Sequence, residues 1–327
     1  MLTDTNRSAA PIDAYLSLLA TMAFFGSAFA SSKVVVDQLP HQVAAVMRFG
    51  GGAVILLVIA AVMSRRNPGA ARLTWSQVCR CGFVGLLGVF AYNLFFFWGL
   101  SLAPSIDGSI IVPVLSPVLT TAALMIAGKE GASLARGGGL LLGLGGAVVF
   151  FLGIRGTDGE LSGSRLLGDL LFLLGAGAWA AYSIASKKVL IGLDPLRATT
   201  VATAVGAAAL LVFAVPAVSE VDWAGVTGTA WANIAYLMVG PTAIAYLLFY
   251  RGLAKVSAST ATVVMFAVPV FGITCAIVFL GESFTGWQIL GSLVMLCGAL
   301  LAVDPWGVRR RSLAAAEPRT AETVGSS

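Results

Sequence analysis

Apolar runs of roughly 20 residues, each bounded by charge, proline or glycine, recur along the whole chain without the period-two alternation of a strand. They fall at Ala14–Val36, Gln42–Met63, Val78–Leu100, Ser105–Ala127, Gly137–Ile154, Leu166–Ser186, Leu196–Val218, Ala230–Tyr250, Val256–Leu280 and Trp287–Val303. In hydrocarbon every backbone N–H and C=O must be satisfied within the segment or within a closed barrel, so runs of this length predict ten transmembrane helices and an all-α membrane protein. Ala28-Phe29-Ala30 has the form of a signal-peptidase site. The apolar run nevertheless continues through Val34, Val35 and Val36, and Asp4 and Asp13 accompany Arg7 before it, so the run reads as a retained helix.

Composition agrees with a chain solvated mainly by lipid: of 327 residues 58% are hydrophobic and only 11% charged, too few to cover a soluble domain of this length. The net charge of +5 sits in short connections, which makes it a topology signal rather than a nucleic-acid footprint. One set of connections carries Arg65, Arg66 and Arg72, Lys129 and Arg136, Lys187 and Lys188, Arg251 and Lys255, and the tail Arg309, Arg310, Arg311 and Arg319. The opposite set carries little beyond Lys33, Arg155 and Arg165, and Ala217–Thr229 offers only Glu220 and Asp222. The basic set is expected on the cytoplasmic face of a bacterial inner membrane, with both termini there. The tail 304–327 is polar, and its arginine cluster suits anionic lipid. Cys79, Cys81, Cys275 and Cys297, with His41 the sole histidine, have no metal-ligand spacing, so neither a zinc site nor a disulfide framework nor any cofactor is expected.

The chain also repeats itself. Setting Pro117 on Pro269 brings Ser105 onto Ser257, Glu130 onto Glu282, Gly139 onto Gly291, Gly146 onto Gly298 and Ala147 onto Ala299 without a gap. Nearby offsets set Ser31 on Ser186, Lys33 on Lys188, Pro40 on Pro195, Gly51 on Gly206 and Gly99-Leu100 on Gly252-Leu253. Each copy holds about five spans, and an odd number sends the second copy into the membrane from the opposite side. The expected organisation is residues 1–13 as a cytoplasmic lead, 14–154 and 166–303 as two inverted five-helix repeats, and 155–165 as an extracytoplasmic linker.

In this order and in duplicate, the sequence resembles the EamA-domain family of the drug/metabolite transporter superfamily, in its ten-helix form. The residues that carry the resemblance are Gly26-Ser27 to Lys33, a proline then Arg48 in the second span, Ser109 to Pro117 followed by Glu130, Gly168-Asp169 to Lys188, and Val256 to Glu282 followed by Gly291 and Gly298. Phe25 stands where the family usually has tryptophan. The resemblance implies an exporter or exchanger of metabolites, with the first four helices of each half around a central cavity and the fifth and tenth outside it. The aromatic content makes aromatic amino-acid exporters the preferred analogy within the family.

Polar and amphipathic residues inside predicted spans are candidates for the cavity wall: Tyr92, Asn93, Ser116, Trp179, Tyr182, Ser183 and Tyr246. Aromatic faces with a few hydroxyl and amide groups suit an amphipathic aromatic or cationic ligand, while helix-to-helix hydrogen bonding or an interfacial aromatic belt is the other reading. Trp98 and Tyr250, near span ends, fit the belt better. Pro117, Pro269 and Gly272 would bend the fourth and ninth helices, either as gates or as fixed kinks. Lys33 and Arg48 would hold a substrate carboxylate or else snorkel to the outer interface. Glu130, Glu282, Asp107 and Asp169 lie near span ends, where capping or loop ion pairs are the ordinary role.

The expected function is therefore alternating-access export of small metabolites, amino acids first, by a monomer or weak homodimer in contact with membrane lipid and a small-molecule substrate. A proton-coupled drug or cation pump is the alternative; the first helix lacks the embedded glutamate that such small multidrug pumps use. A passive channel and a membrane-embedded enzyme follow, the latter without HExxH, GxSxG or a carboxylate cluster. Gly139–Gly146 reads as close helix packing, not as a phosphate cradle.

Overall fold

Chain segments that are apolar throughout and must satisfy their own backbone fold as helices, and every regular element among the described residues is helical. The computed structural model describes residues 12–66, 73–129, 134–153, 163–189, 192–253 and 264–303. We number the helices α1 (Ile12–Val36), α2 (His41–Arg66), α3 (Trp75–Leu102), α4 (Ser105–Ile126), α5 (Leu134–Leu152), α6 (Gly163–Val189) and α7 (Pro195–Val218). Helix α8 runs through Gly228–Leu237, Met238–Ile244 and Ala245–Leu253, and α9 (Val268–Leu280) and α10 (Gly286–Val303) follow. The first eight are long and apolar enough to cross a membrane, and α9 and α10 are shorter apolar helices. Glu130, the arginines of the tail and the first part of the expected ninth span lie outside the described residues.

Local chemistry fixes the ends. Thr74 and Gln77 form a reciprocal capping box at the start of α3, and Asp194 caps α7 ahead of Pro195. Thr227 caps α8, and the Gln38 side chain in the α1–α2 turn accepts from both its N–H and its hydroxyl at 3.0 and 2.9 Å. Gly281 ends α9 with φ of 64°, the left-handed conformation that glycine adopts without strain, and this turn throws Glu282 back toward α4.

The ninth run is not one continuous helix. Phe266 and Ala267 form a turn, and α9 begins at Val268 with Pro269 in its first turn. Residues 264–265 before the turn are helical as well, so Pro269 lies just past an interruption of the helix, where its missing N–H breaks no bond of α9. Arg165, expected in a loop, lies inside α6 because that helix begins at Gly163.

Two helices carry π turns, Leu86–Ala91 in α3 and Met238–Ile244 in α8. The register that sets Gly99 on Gly252 sets Leu86 on Val239, so both widened turns fall at the same place in the two halves. Glycine and proline in them (Gly88, Gly240, Pro241) weaken the regular ladder, and such single-turn insertions cluster at functional sites.

Around these, α6 packs on α3 and α4, α1 on α8 and α9, α2 on α7, and α4 on α9. Helices α5 and α10 pack chiefly on each other. Their glycines let the backbones touch: a methyl group on Gly139 would lie 2.7 Å from the Gly298 carbonyl, and one on Gly146 would lie 2.9 Å from that of Gly291. This is the close-packing role expected for the glycine-rich run. The buried core contains Phe96, Phe97, Leu100, Ile106, Ile110 and Phe172, whereas Val58, Leu141, Val148, Val212 and Val278 are among the large apolar residues left exposed, as lipid contact requires.

Candidate functional site

A cavity of about 320 Å³ lies between α1, α2, α3, α4, α6, α8 and the start of α9. Along α4 it runs from Val112 to Leu124, close to the helix end that leads into the basic loop. No lining residue comes from α5, α7 or α10. The fifth and tenth helices thus stand outside it, and so does the seventh, which packs behind α2 and α3.

The wall is built from aromatic faces. Tyr92 meets Trp179 edge-on at 5.1 Å, Phe25 meets Tyr246 at 5.9 Å, and Phe29 meets Phe96 at 5.1 Å. Each π turn is followed at once by a cavity tyrosine, Tyr92 after the first and Tyr246 one residue past the second. Tyr182 is set one layer back: its ring covers Gly88, whose missing side chain admits it, and meets the Trp179 ring at a tilt, centroids 5.1 Å apart.

Arg48 supplies the charge. It is only 9% exposed, with its guanidinium carbon 4.8 Å from the Phe49 ring centre and 5.9 Å from that of Phe96. Gly52 leaves room for Thr242 to approach, and the Thr242 hydroxyl accepts from Arg48 Nε at 3.5 Å. No carboxylate pairs with Arg48 among the described residues. Two turns into α2, the side chain is held in the cavity wall by the two rings.

Asn93 is 1% exposed and donates through Nδ2 to the Val89 carbonyl at 2.8 Å. A carbonyl only accepts, so this bond fixes the amide orientation and leaves Oδ1 as a buried acceptor with no partner among the described residues. Ser116 donates to the Val112 carbonyl, and Pro113 and Pro117 interrupt the α4 ladder along the same wall. Ser183 also lines the cavity.

Other candidates lie elsewhere. Lys33 pairs with Asp37 at 2.9 Å and donates to the Leu100 carbonyl at 2.9 Å, away from the cavity. Gly272 sits where α9 crosses α1 and α4, against Gly26 and Ser109, and Pro269, in the same helix, is buried too. Trp98 stacks on His41 at 5.5 Å, near the C-terminal end of α3 and the start of α2. The purely apolar rings of the wall, Phe25, Phe29 and Phe96, carry no signal separating them from ordinary core residues in the sequence.

At the far end of α4 a polar network spans four elements. Arg165 on α6 donates from Nε to Asp107 Oδ2 at 2.8 Å and from Nη2 to Oδ1 at 2.9 Å. Gln288 on α10 donates to Asp107 Oδ1 at 3.0 Å. Glu282 accepts from the N–H groups of Ser105 and Ile106, each at 2.8 Å, and so caps α4 from the α9–α10 turn. Asp107 and Asp169 are fully buried, a correction to the capping or loop ion-pair role expected near span ends; being charged or polar within apolar runs was the signal.

The sequence profile of the EamA-like transporter family matches residues 13–152 and 166–303. The uncharacterized transporter YyaM of Bacillus subtilis is 25% identical over 89% of this chain and 93% of its own length. The aromatic amino acid exporter YddG of Ancylobacter novellus is 26% identical over 67% of this chain and 74% of its own. A protein of Streptantibioticus cattleyicolor named a "probable terminal-alkyne amino-acid exporter" is 24% identical over 94% and 97%. A solved crystal structure, 24% identical, superposes with a TM-score of 0.60 and covers 93% of this chain and 99% of that one.

Proposed function

The chain belongs to the EamA-like transporter family of multi-pass membrane proteins, and on that premise we propose that it exports small amphipathic amino acids, aromatic ones foremost, from the cytoplasm by alternating access. The observation that carries the reading is a pair of unspent polar groups on an aromatic wall. The Arg48 guanidinium has donors free of any described carboxylate, and Asn93 Oδ1 is an acceptor without a described donor. A zwitterion offers the complement of both, its carboxylate to Arg48 and its ammonium to Asn93, while Phe25, Tyr92 and Trp179 give faces for an apolar or aromatic side chain. Relatives named as amino-acid exporters point the same way.

Arg48 also weighs against a proton-driven cation pump, since a buried guanidinium in the wall repels a cationic substrate. The matching π turns of α3 and α8 and the exchanged contacts of α1 with α8 and α9, and of α6 with α3 and α4, support two inverted five-helix repeats. With the basic loops cytoplasmic, the cavity opens inward and the polar network closes the outer end. Both termini then face the cytoplasm of a bacterial inner membrane.

Counterflow of labelled phenylalanine, tryptophan, tyrosine and leucine into liposomes containing the purified protein tests the reading. Saturable exchange of at least one of these, weakened by Arg48→Gln, is the expected result. Saturable uptake of organic cations with no amino-acid exchange would replace the proposal by the pump.

A further inference from the structure

Three carboxylates and one guanidinium, Arg165, gather at the outer end of α4, and the carboxylates are not equivalent. Asp107 receives three donated hydrogen bonds, two from Arg165 and one from Gln288. Glu282 places both oxygens on the backbone N–H groups of α4. Asp169, fully buried on α6, receives none: neither oxygen meets a donor among the described residues. The side chain within hydrogen-bonding approach of it is the Asp107 carboxylate, itself an acceptor. The neighbouring Gly168 of α6 packs against Gly99 of α3 and Ala103 just past its end.

Two buried carboxylates in contact cannot both be ionised at bearable cost, and a proton between them removes the conflict. The donors decide where it resides. Asp107, with a bidentate guanidinium and an amide, keeps the negative charge. Asp169 takes the proton and donates it to Asp107.

We propose that Asp107 and Asp169 form a proton-binding site whose occupancy fastens the outer end of α4 to α6. With the proton present, an O–H···O⁻ hydrogen bond joins the two helices. Without it, the charges of Asp107, Asp169 and Glu282 stand against Arg165 alone across the same contact, and the helices are driven apart. Acid therefore favours the closed outer end, and alkali favours its opening. The proton site stands on these residues alone; its effect on transport rests on the exporter reading above.

Infrared spectroscopy of the full-length protein in lipid nanodiscs tests the site without any substrate. The expected result at neutral pH is the carbonyl stretch of a buried protonated carboxylic acid, lost in Asp169→Asn, retained in Glu282→Gln, and titrated away at alkaline pH. If Asp169→Asn does not fold, Asp169→Ala serves, since it removes the carboxyl without a new polar group. A spectrum without an Asp169-dependent band overturns the proton site, whatever the cavity carries. Phenylalanine counterflow then tests the fastening: wild-type exchange should slow as the outer compartment is acidified, whereas Asp169→Asn, whose amide donates to Asp107 permanently, should be slow at every pH. An Asp169-dependent band with the same pH profile in wild type and Asp169→Asn overturns the fastening role. If no amino acid exchanges at all, the band alone decides the site and the exporter reading fails separately.

Discussion

In the proposed export of amino acids, Arg48 is the residue that would carry recognition. A charge-assisted hydrogen bond contributes roughly 1.5–3 kcal/mol, so Arg48→Gln should raise KM for an amino acid on the order of 10- to 100-fold, with the protein still folded as judged by its melting temperature. Arg48→Lys should fall between, because an ammonium keeps the charge but loses the planar fork and its stacking on Phe49 and Phe96. Asn93→Leu, of similar size, removes the acceptor; it should weaken binding of the zwitterion about tenfold while leaving the binding of a carboxylate that lacks the ammonium unchanged, a contrast readable by competition. Arg48, Asn93, Tyr92, Trp179 and Tyr246 were legible in the sequence because polar or amphipathic groups inside an apolar run need a reason to be there. Phe25, Phe29 and Phe96 were not, since a ring facing a cavity and a ring facing a core look alike in a string of letters. Asp107 and Asp169 were visible but misplaced. The partners of Asp107, Arg165 and Gln288, stand 58 and 181 residues from it along the chain, and nearness to a span end says nothing about such long-range pairing.

Among the elements, length and hydropathy located the helices well because hydrocarbon leaves the backbone no other choice. Capping residues such as Thr74 and Asp194 set their ends a few residues from the hydropathy boundaries. What hydropathy does not encode is a helix interrupted within an apolar stretch, so the π turns of α3 and α8 and the break at Phe266-Ala267 emerge only in the folded chain. The α5–α10 pair offers a clean separation of stability from transport. Gly146→Val would drive side-chain atoms into the α10 backbone at Gly291, and overpacking of this kind costs about 1–3 kcal/mol. A lowered melting temperature with an unchanged KM is expected, because neither α5 nor α10 lines the cavity. A large rise in KM at retained stability would mean that the pair takes part in the site. Pro117→Ala is the complementary case: it restores an α4 backbone donor beside the cavity. If bending of α4 gates the cavity, the maximal rate should fall at least severalfold while KM stays within about twofold.

At the scale of the whole molecule, the cavity and the polar network occupy opposite ends of α4, and under the proposed function this asymmetry corresponds to an inward-open conformation. Leu124 and Thr121 line the cavity within two turns of the basic-loop end, whereas Ile106 at the other end is fully buried under Glu282 and Phe172 lies beside Gly108. In the proposed carrier of two inverted copies, these roles would be exchanged on turnover, so one end would close as the other opens. Cysteines placed singly at Thr121 and Ile106, in a protein whose Cys79, Cys81, Cys275 and Cys297 are replaced by alanine, report the two ends. A membrane-impermeant thiol reagent should reach Thr121→Cys from the cytoplasmic side at rest, and bound substrate should protect it. Ile106→Cys should react from the outside only while substrate is turning over, when the network around Asp107 parts. Labelling of Ile106→Cys at rest would place the open end on the side away from the basic loops, and simultaneous labelling of both sites would describe a pore. Protection of Thr121 together with turnover-dependent exposure of Ile106 is the pattern that only an alternating carrier with its outer end latched produces.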